Sequence, residues 1–537
     1  MRRAAAVTLL LLVAACSRGP RTNAPAQTVR FAIAADPTTL NPLFLTPDAA
    51  SVDQQVARLL FEPFVDLDAR GRLVPVLLRE IPTRKNGGIS ADGRTITYHL
   101  RPGVRWSDGV PVTSADVLFT LRAILNPRNP VRTREGYDSI DRAVAPNAST
   151  VILHLRKPWA PAVATFFSYG IEPYAVVPAH VLARVRSLRT ASFNGDPHVS
   201  DGPYRFVSWR RGDRLTFEAN PRYWRGAPRI RRIVARIVAD PGTNLTLLRT
   251  GELDWNLIAP AQQAALRGAR DIRIERVPTS VVAGLALNVE RGALRDVRVR
   301  RAIAESIDRE AISRKITLGV YPVADTLQPS YSWALDPTVR VPGYHPRSAD
   351  ALLRAAGWRR GAGGMRYKNG KKLHLLYVQF PESTTGVLVA TFIQQALQAR
   401  GIAVTLKSVG NAQLFLPKDG TLARGQFDLA YIPWTMGIDP DDSSILRCGA
   451  PENYMRWCDP LVDRLEAQAL DASSQRLRKR LYARIEARVA SQVPLLVLFD
   501  ASYLYAYDAR LEGFAPNPVL PTATAWAWRL RPAVSRR

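Results

Sequence analysis

Histidine and cysteine are scarce in this 537-residue chain, and their scarcity removes whole classes of chemistry. The six histidines, His99, His154, His180, His198, His345 and His374, are scattered, so neither a histidine metal cluster nor a catalytic triad is suggested. His154 falls within an alternating strand pattern and reads as structural. No G-x-S-x-G elbow, no H-E-x-x-H pair and no G-x-x-x-x-G-K-S/T loop occurs. Carboxylate pairs such as Asp441-Asp442 exist, but spacing alone does not separate acid–base work from helix capping. The lack of catalytic constellations favours a binder over an enzyme, with no metal and no cofactor expected.

Acidic residues are in deficit as well: 46 Asp and Glu stand against 74 Lys and Arg, a formal net charge of +28. Nucleic-acid binding is the first reading of such an excess. However, the arginines are spread along the whole chain, often beside Ala, Val or Leu, and form no dense basic block. No standard nucleic-acid-binding motif appears, so no nucleic-acid partner is expected. An arginine-rich background remains, with attraction to an anionic membrane surface as a secondary effect.

Long apolar runs are missing apart from one. Met1-Arg2-Arg3 precedes twelve apolar or small residues, Ala4 to Ala15, and then Cys16. The run is short of the roughly 20 residues that cross a bilayer. A core helix would not be apolar on every face directly after Met-Arg-Arg, so the layout predicts a secretory signal over residues 1–16. Val13-Ala14-Ala15-Cys16 resembles the lipobox of bacterial lipoproteins, which implies that Cys16 becomes the lipid-modified first residue. Acyl burial contributes about 0.8 kcal/mol per CH₂ to such an anchor. Residues 17–28 are polar and aperiodic and are expected to form a tether, with ordered structure from Val29. No later segment approaches a span, so a soluble body outside the cytoplasm is expected. With Cys16 taken by lipid, Cys448 and Cys458 remain as a pair in a turn-rich stretch, and a disulfide is favoured over zinc. Closing so short a loop contributes about 2–3 kcal/mol.

What the chain does contain is a globular composition, 47% hydrophobic and 22% charged, with 17 Tyr and 11 Trp. The roughly 510 residues after the tether exceed what one core organises, so two or three subdomains are expected. Strand patterns occur at 29–34, 150–155, 204–209, 215–218 and 402–406, less cleanly at 229–239, and as a short strand at 495–499. Asp92-Gly93 predicts a hairpin within 89–101. Helical patterns occur at 54–61, 114–125, 243–249, from Asp296, from Asp308, at 348–356 and 391–400, and from about Leu477 to Val489. Helices followed by strands in the second half point to α/β organisation.

Several ordered blocks then carry a resemblance. They are Asp36-Pro37-Thr38-Thr39-Leu40-Asn41-Pro42; Leu60-Phe61-Glu62-Pro63-Phe64-Val65; and Asp92-Gly93-Arg94-Thr95 through Leu100-Arg101-Pro102-Gly103-Val104-Arg105-Trp106-Ser107-Asp108-Gly109. Asp201-Gly202-Pro203-Tyr204, Asn220-Pro221-Arg222-Tyr223-Trp224, Thr250-Gly251-Glu252-Leu253-Asp254 and Val297-Arg298-Val299-Arg300-Arg301-Ala302-Ile303 follow. In this order the set resembles extracellular solute-binding proteins of family 5, the peptide- and nickel-type receptors of ABC importers. The resemblance implies a two-lobed α/β fold of the periplasmic-binding-protein type (cluster C). The first lobe would be 29–68, 196–283 and 499–537, the inserted subdomain 69–195, and the second lobe 284–498.

It also implies a ligand held between the lobes. On the family pattern Trp434 falls at a pocket tryptophan and Tyr505 near an expected aromatic, while Leu45 and Thr46 lie in a first-lobe segment that lines the cleft. The Trp434-Thr435-Met436-Gly437-Ile438-Asp439-Pro440 run is shorter than in peptide-binding members and lacks their acid for the peptide amine; Asp439 could substitute. Cys448 and Cys458 fall where several peptide-binding members carry a pair. The expected role is that of a monomeric, lipid-anchored receptor passing a di- or oligopeptide to permease subunits. A sugar oligomer or metal chelate is the alternative within that class; a lipid-anchored envelope enzyme and a sensory binder are alternatives outside it.

Overall fold

The structure, a computed structural model, describes residues 28–45, 52–169 and 173–532. The expected signal, Cys16, all but the last residue of the expected tether, and Thr46 lie outside the described residues.

Ten strands form one sheet that runs through the whole molecule. In chain order they are β1 (Thr28–Ile33), β2 (Tyr204–Arg210), β3 (Arg214–Ala219), β4 (Arg232–Ile237), β5 (Trp255–Ile258), β6 (Ile272–Leu287), β7 (His374–Gln379), β8 (Ala403–Ser408), β9 (Leu429–Thr435) and β10 (Leu495–Asp508). Their spatial order is β8-β7-β9-β6-β10-β5-β1-β4-β3-β2. β1 begins at Thr28, one residue inside the expected tether, and turns Val29, Phe31 and Ile33 into the core as its alternation predicts.

β6 and β10 are the longest strands, and they join the two halves. Their antiparallel register runs from Ile272 opposite Asp508 to Pro278 opposite Ser502, slips over 279–281, resumes at Val282 opposite Asp500, and shifts once more between Ala283 and Gly284 before ending at Ala286 opposite Leu495. β5, β1, β4, β3 and β2 lie on one side of this pair, and β9, β7 and β8 on the other. At the slip the Thr279 hydroxyl donates to Ala501 O at 2.9 Å and accepts from Val281 N–H at 3.1 Å. Ser280 N–H donates to Pro518 O at 3.2 Å, and Ser280 O accepts from Met436 N–H at 2.7 Å. A bulge whose polar groups are bonded in this way bends the ladder without orphaning it.

The cores follow the sheet. In the second half, Leu285, Ile303, Tyr377, Ile393 and Phe499 belong to one cluster, and Ile432, Trp434, Tyr482, Ile485 and Val497 to another. Leu481, Ile485 and Val489 sit on the buried stripe of the helix Gln475–Gln492, capped by Ser474 and ended by Val493 at φ +48°. Each such aliphatic side chain contributes about 1.5–3 kcal/mol on burial. In the first half, Phe31, Trp255 and Tyr505 are continuous with Phe64, Tyr98, Trp106 and Phe167 of the region 69–195 and its entrance.

That region carries its own sheet, in which Thr150–Leu155 lies between Thr95–His99 and Ile140–Asn147. The Asp92-Gly93 turn forms, but its first arm is only a bridge, Ile89 opposite Ile96; Thr95–His99 pairs instead with Thr150–Leu155. Gly87 and Gly88 immediately before Ile89 give that arm nothing to pack. The helix Ser114–Leu125 keeps its predicted bounds, with Asp116 Oδ2 accepting from Thr113 N–H at 2.9 Å.

Candidate functional site: a cleft between the inserted region and the second half

A cleft of about 470 Å³ opens where the inserted region faces the second half of the chain. Ile81, Ile89, Ile96, Trp159 and Val163 form one wall, with Arg72 and Arg84 on the same side. Tyr331, Trp333, Ile438, Asp439, Gln475 and Arg478 form the other. The volume and the mixture of apolar walls with few polar groups fit a small organic solute.

The walls meet at defined points. Ala160 N–H donates to Leu470 O at 2.7 Å across the cleft. Gly71, at φ +72°, packs so tightly on the facing wall that a Cβ there would lie 2.5 Å from Tyr331 Cβ. Trp159 is seated over Gly136 at φ +78°, where a Cβ would lie 2.0 Å from its ring.

On the second wall, charge is organised by the helix Gln475–Gln492. Its first turn presents Arg478, which donates from Nη1 to Asp439 Oδ2 at 2.7 Å and from Nη2 to the other carboxylate oxygen. Nη2 also donates to the Tyr482 hydroxyl at 2.9 Å, and the guanidinium lies 5.4 Å from the centre of the Trp333 ring. Burial by itself pushes this guanidinium pKa down, but Asp439 and the hydrogen bonds outweigh that and raise it. Asp439 is therefore held in a two-point ion pair with a buried arginine.

Behind the pair lies a group of carboxyls with almost no solvent contact. Asp442, Glu466 and Glu486 are 0%, 0% and 2% exposed. Burial pushes Asp442 up to about 6 and Glu466 and Glu486 well above their usual range, so protons are shared among them. Glu486 accepts from Leu327 N–H at 3.1 Å, while the Gln328 amide donates to Pro440 O at 2.9 Å and to Asp442 Oδ2 at 3.3 Å. Ser332 Oγ donates to Gln328 Oε1 at 2.9 Å, which ties the Tyr331–Trp333 segment to the loop carrying Asp439.

Of the residues singled out in the sequence, Asp439 lines this cleft. Trp434, Thr435, Met436 and Gly437 run from the end of β9 toward it. Trp434 pairs with Val282 and is 2% exposed, its indole N–H finding no acceptor among the described residues; Met436 is buried, and Thr435 and Gly437 are half-buried. Leu45 is buried in the first-half core. Tyr505 is buried there too, edge-on to Trp255 with ring centres 6.0 Å apart. Cys448 and Cys458 are joined, and Cys448 N–H donates to Asp463 Oδ1 at 2.9 Å.

Trp159, Tyr331, Trp333 and Arg478 were not anticipated. The first three do carry a signal: Pro158-Trp159-Ala160-Pro161 and Pro329-Ser330-Tyr331-Ser332-Trp333 place large aromatics in segments without helix or strand periodicity. Such aromatics are not accounted for by a core face. Arg478 carries none, being one arginine among many on its helix.

A two-lobed sheet protein with a ligand-sized cleft across its halves defines a class of solute-binding proteins. The chain belongs to the bacterial extracellular solute-binding proteins, family 5, whose model (family 5 Middle) matches residues 73–455. It is 28% identical over 524 residues to Protein XP55 of Streptomyces lividans, covering 93% of this chain and 88% of that one. It is 22% identical over 491 residues to the oligopeptide-binding protein AppA of Bacillus subtilis, covering 90% and 88%. The fold superposes with a TM-score of 0.82 on NikA from Brucella suis, solved in complex with Fe(III)-EDTA, at 21% identity and covering 94% of this chain and 100% of that one. The protein is accordingly a solute-binding protein rather than an enzyme. Among the described residues no helix is long and apolar enough to cross a membrane.

Proposed function

We propose that this chain is the lipid-anchored, extracytoplasmic receptor of an ABC importer, and that it captures a di- or oligopeptide as a monomer and hands it to permease subunits. The observation that carries the reading is the cleft itself, about 470 Å³ between facing walls that carry Trp159, Tyr331 and Trp333. Aromatic faces suit the alternating apolar and amide surface of a peptide, and a receptor needs no chemistry beyond that grip. Cys16 is the proposed anchor and residues 17–27 the tether. The proposed lobes are 29–68 with 196–283 and 499–537, against 284–498, with 69–195 inserted in the first.

Closure turns about the register slip at Thr279–Ser280 and Ala501, and it is driven only by the better contacts the ligand makes in the closed form. Trp434, Thr435, Met436, Gly437 and Asp439 contact ligand from the second lobe in this reading, and Leu45, Thr46 and Tyr505 from the first. Trp434 supplies an optical test through its unbonded N–H. Ligand-induced fluorescence change is expected to fall by about half or more in Trp434→Phe, as one indole near the ligand outweighs distant ones; an unchanged signal removes it from the contact set.

Thermal-shift screening with peptides, oligosaccharides and metal chelates tests the whole reading. A cognate peptide at 100 times its Kd stabilises by about 2.7 kcal/mol. A shift with a glycan or chelate and none with any peptide leaves the receptor role and overturns the peptide assignment; turnover of a ligand overturns the receptor role.

A further inference from the structure

The solvent face of β2, β3 and β4 gathers like charge in rows. Between residues 204 and 239 the chain holds ten arginines and two acids, Asp213 and Glu218. Leu215, Phe217, Ile233 and Ala235 are buried, so the alternate positions of β3 and β4 face outward. Cross-strand register then aligns Arg210, Arg214 and Arg236 in one row over three strands, and Arg205, Glu218 and Arg232 in a second. Arg210 is 70% exposed, Arg214 44% and Arg232 53%. Acids neutralise the rows only in part: Asp213 lies 3.3 Å from both Arg210 and Arg214, Glu218 3.0 Å from Arg232, and Glu252 3.1 Å from Arg236. Four of these five arginines share three carboxylates, and Arg211 at the hairpin turn adds a further cation over the Trp209 ring. Like charges directly opposite in a sheet weaken it, so this row costs the isolated body stability that an external anion returns.

The place of the patch names the anion. Thr28, where β1 begins, pairs with Arg232, so the chain leaves the described body at the margin of this face. The 11 residues between Cys16 and Thr28 reach at most about 40 Å when extended, and about 18 Å as a flexible coil. A body tethered on that side presents the arginine rows to whatever carries the anchor.

We propose that the exposed face of β2–β4 docks on an anionic lipid surface, setting the orientation in which the tethered receptor stands on its membrane. The proposal rests on the reading of Cys16 as anchor for its geometry, while the binding it predicts needs no acyl group. Guanidinium pairs bidentately with phosphate, and a phosphodiester surface offers such partners in a plane matching a flat sheet face.

The test uses the processed chain without lipid, residues 17–537, which retains every described residue, and sedimentation with vesicles. Vesicles of phosphatidylglycerol mixed with phosphatidylcholine are expected to bind it, and phosphatidylcholine alone not to. Partitioning falls by at least about tenfold in the triple variant Arg210→Glu, Arg214→Glu, Arg236→Glu, since each cation near such a surface counts. The same sites changed to Lys keep most of the binding. A second triple, Arg476→Glu, Arg480→Glu, Arg484→Glu on the exposed side of the helix Gln475–Gln492, changes net charge equally and keeps it too. Equal loss in both glutamate triples, equal binding in all proteins, or no binding to the anionic vesicles overturns the proposal. Complete displacement by duplex DNA at equal phosphate also overturns it, pointing to a polyanion of another class. A retained peptide-induced thermal shift in the first triple shows that its fold and cleft are intact, so this result and the receptor assignment fail or stand separately.

Discussion

Gly136 shapes the cleft without touching its interior. Its positive φ and the Trp159 ring on its Cα leave no space for a side chain. Gly136→Ala is expected to cost about 1–3 kcal/mol for the backbone alone. It should also tilt Trp159, weakening ligand-induced stabilisation in the same thermal-shift assay; an unaltered ligand response would show that the ring's seat does not matter. The Asp439–Arg478 pair makes a sharper case. Arg478 is 6% exposed, and removing either partner strands a buried charge. Arg478→Ala is expected to lose about 3–5 kcal/mol in denaturant unfolding, while the double change to Asp439→Asn with Arg478→Met recovers much of it. If the single and the double variant lose the same amount, the pair is not the source of the loss. The pairing also bears on recognition: an amine entering the cleft meets a carboxylate already bonded at two points, so the acid missing after Trp434 is not simply replaced by Asp439.

The elements that join the halves are β6 and β10, and the larger of their two register shifts, between Pro278 and Val282, concentrates the bending. Thr279 fills two bonds there, so Thr279→Val removes both while keeping the shape. The expected loss is about 1–3 kcal/mol of stability, with an altered rate of ligand association in stopped-flow fluorescence. Unchanged association kinetics would detach the slip from closure.

These strands were also the least legible. The helices Ser114–Leu125 and Val297–Ser306 were readable because caps and a one-sided apolar stripe coincide in Thr113 with Asp116 and in Asp296 with Val299 and Ile303. β6 has no single period: its first part is partly exposed, and from Val282 onward it is buried on both faces, so alternation gives way to a plain apolar run. β10 was expected to stop at Phe499 but continues to Asp508, because polar Asp500 and Ser502 sit at the slip inside the strand. The cleft was partly legible for a related reason. Resemblance drew attention to the Trp434–Asp439 run, whereas Trp159 and the Tyr331–Trp333 segment come from two separate stretches that only the tertiary fold brings together.

At the scale of the molecule, the second wall of the cleft stands on carboxyls that must keep protons. Asp442 immediately precedes the short helix Ser443–Leu446, Glu466 comes from the helix Pro460–Asp471 and Glu486 from Gln475–Gln492. Asp441 and Glu486 add negative charge near Glu466, Tyr482 and Arg478 lie on the same helix as Glu486, and Gln328 is the neutral partner from the Tyr331–Trp333 side. Below pH about 4 both folded and unfolded chains hold these protons, and the cluster's contribution to stability is full. As pH rises, the unfolded chain releases its protons first while burial keeps those of the fold. Stability is therefore lost through the folded value of about 6 for Asp442, and further as the glutamates are challenged. The Asp442 shift alone corresponds to about 2–3 kcal/mol between pH 4 and 8. Thermal unfolding followed over that range is expected to show the decline, and Glu466→Gln, which keeps the shape without the ionisation, should flatten part of it. Because Gln328 and the Asp439 loop connect the cluster to the cleft, ligand affinity should weaken along the same pH course. A wild-type stability that rises from pH 5 to 8, or a Glu466→Gln profile parallel to wild type, would show that these carboxyls are not held protonated in the fold.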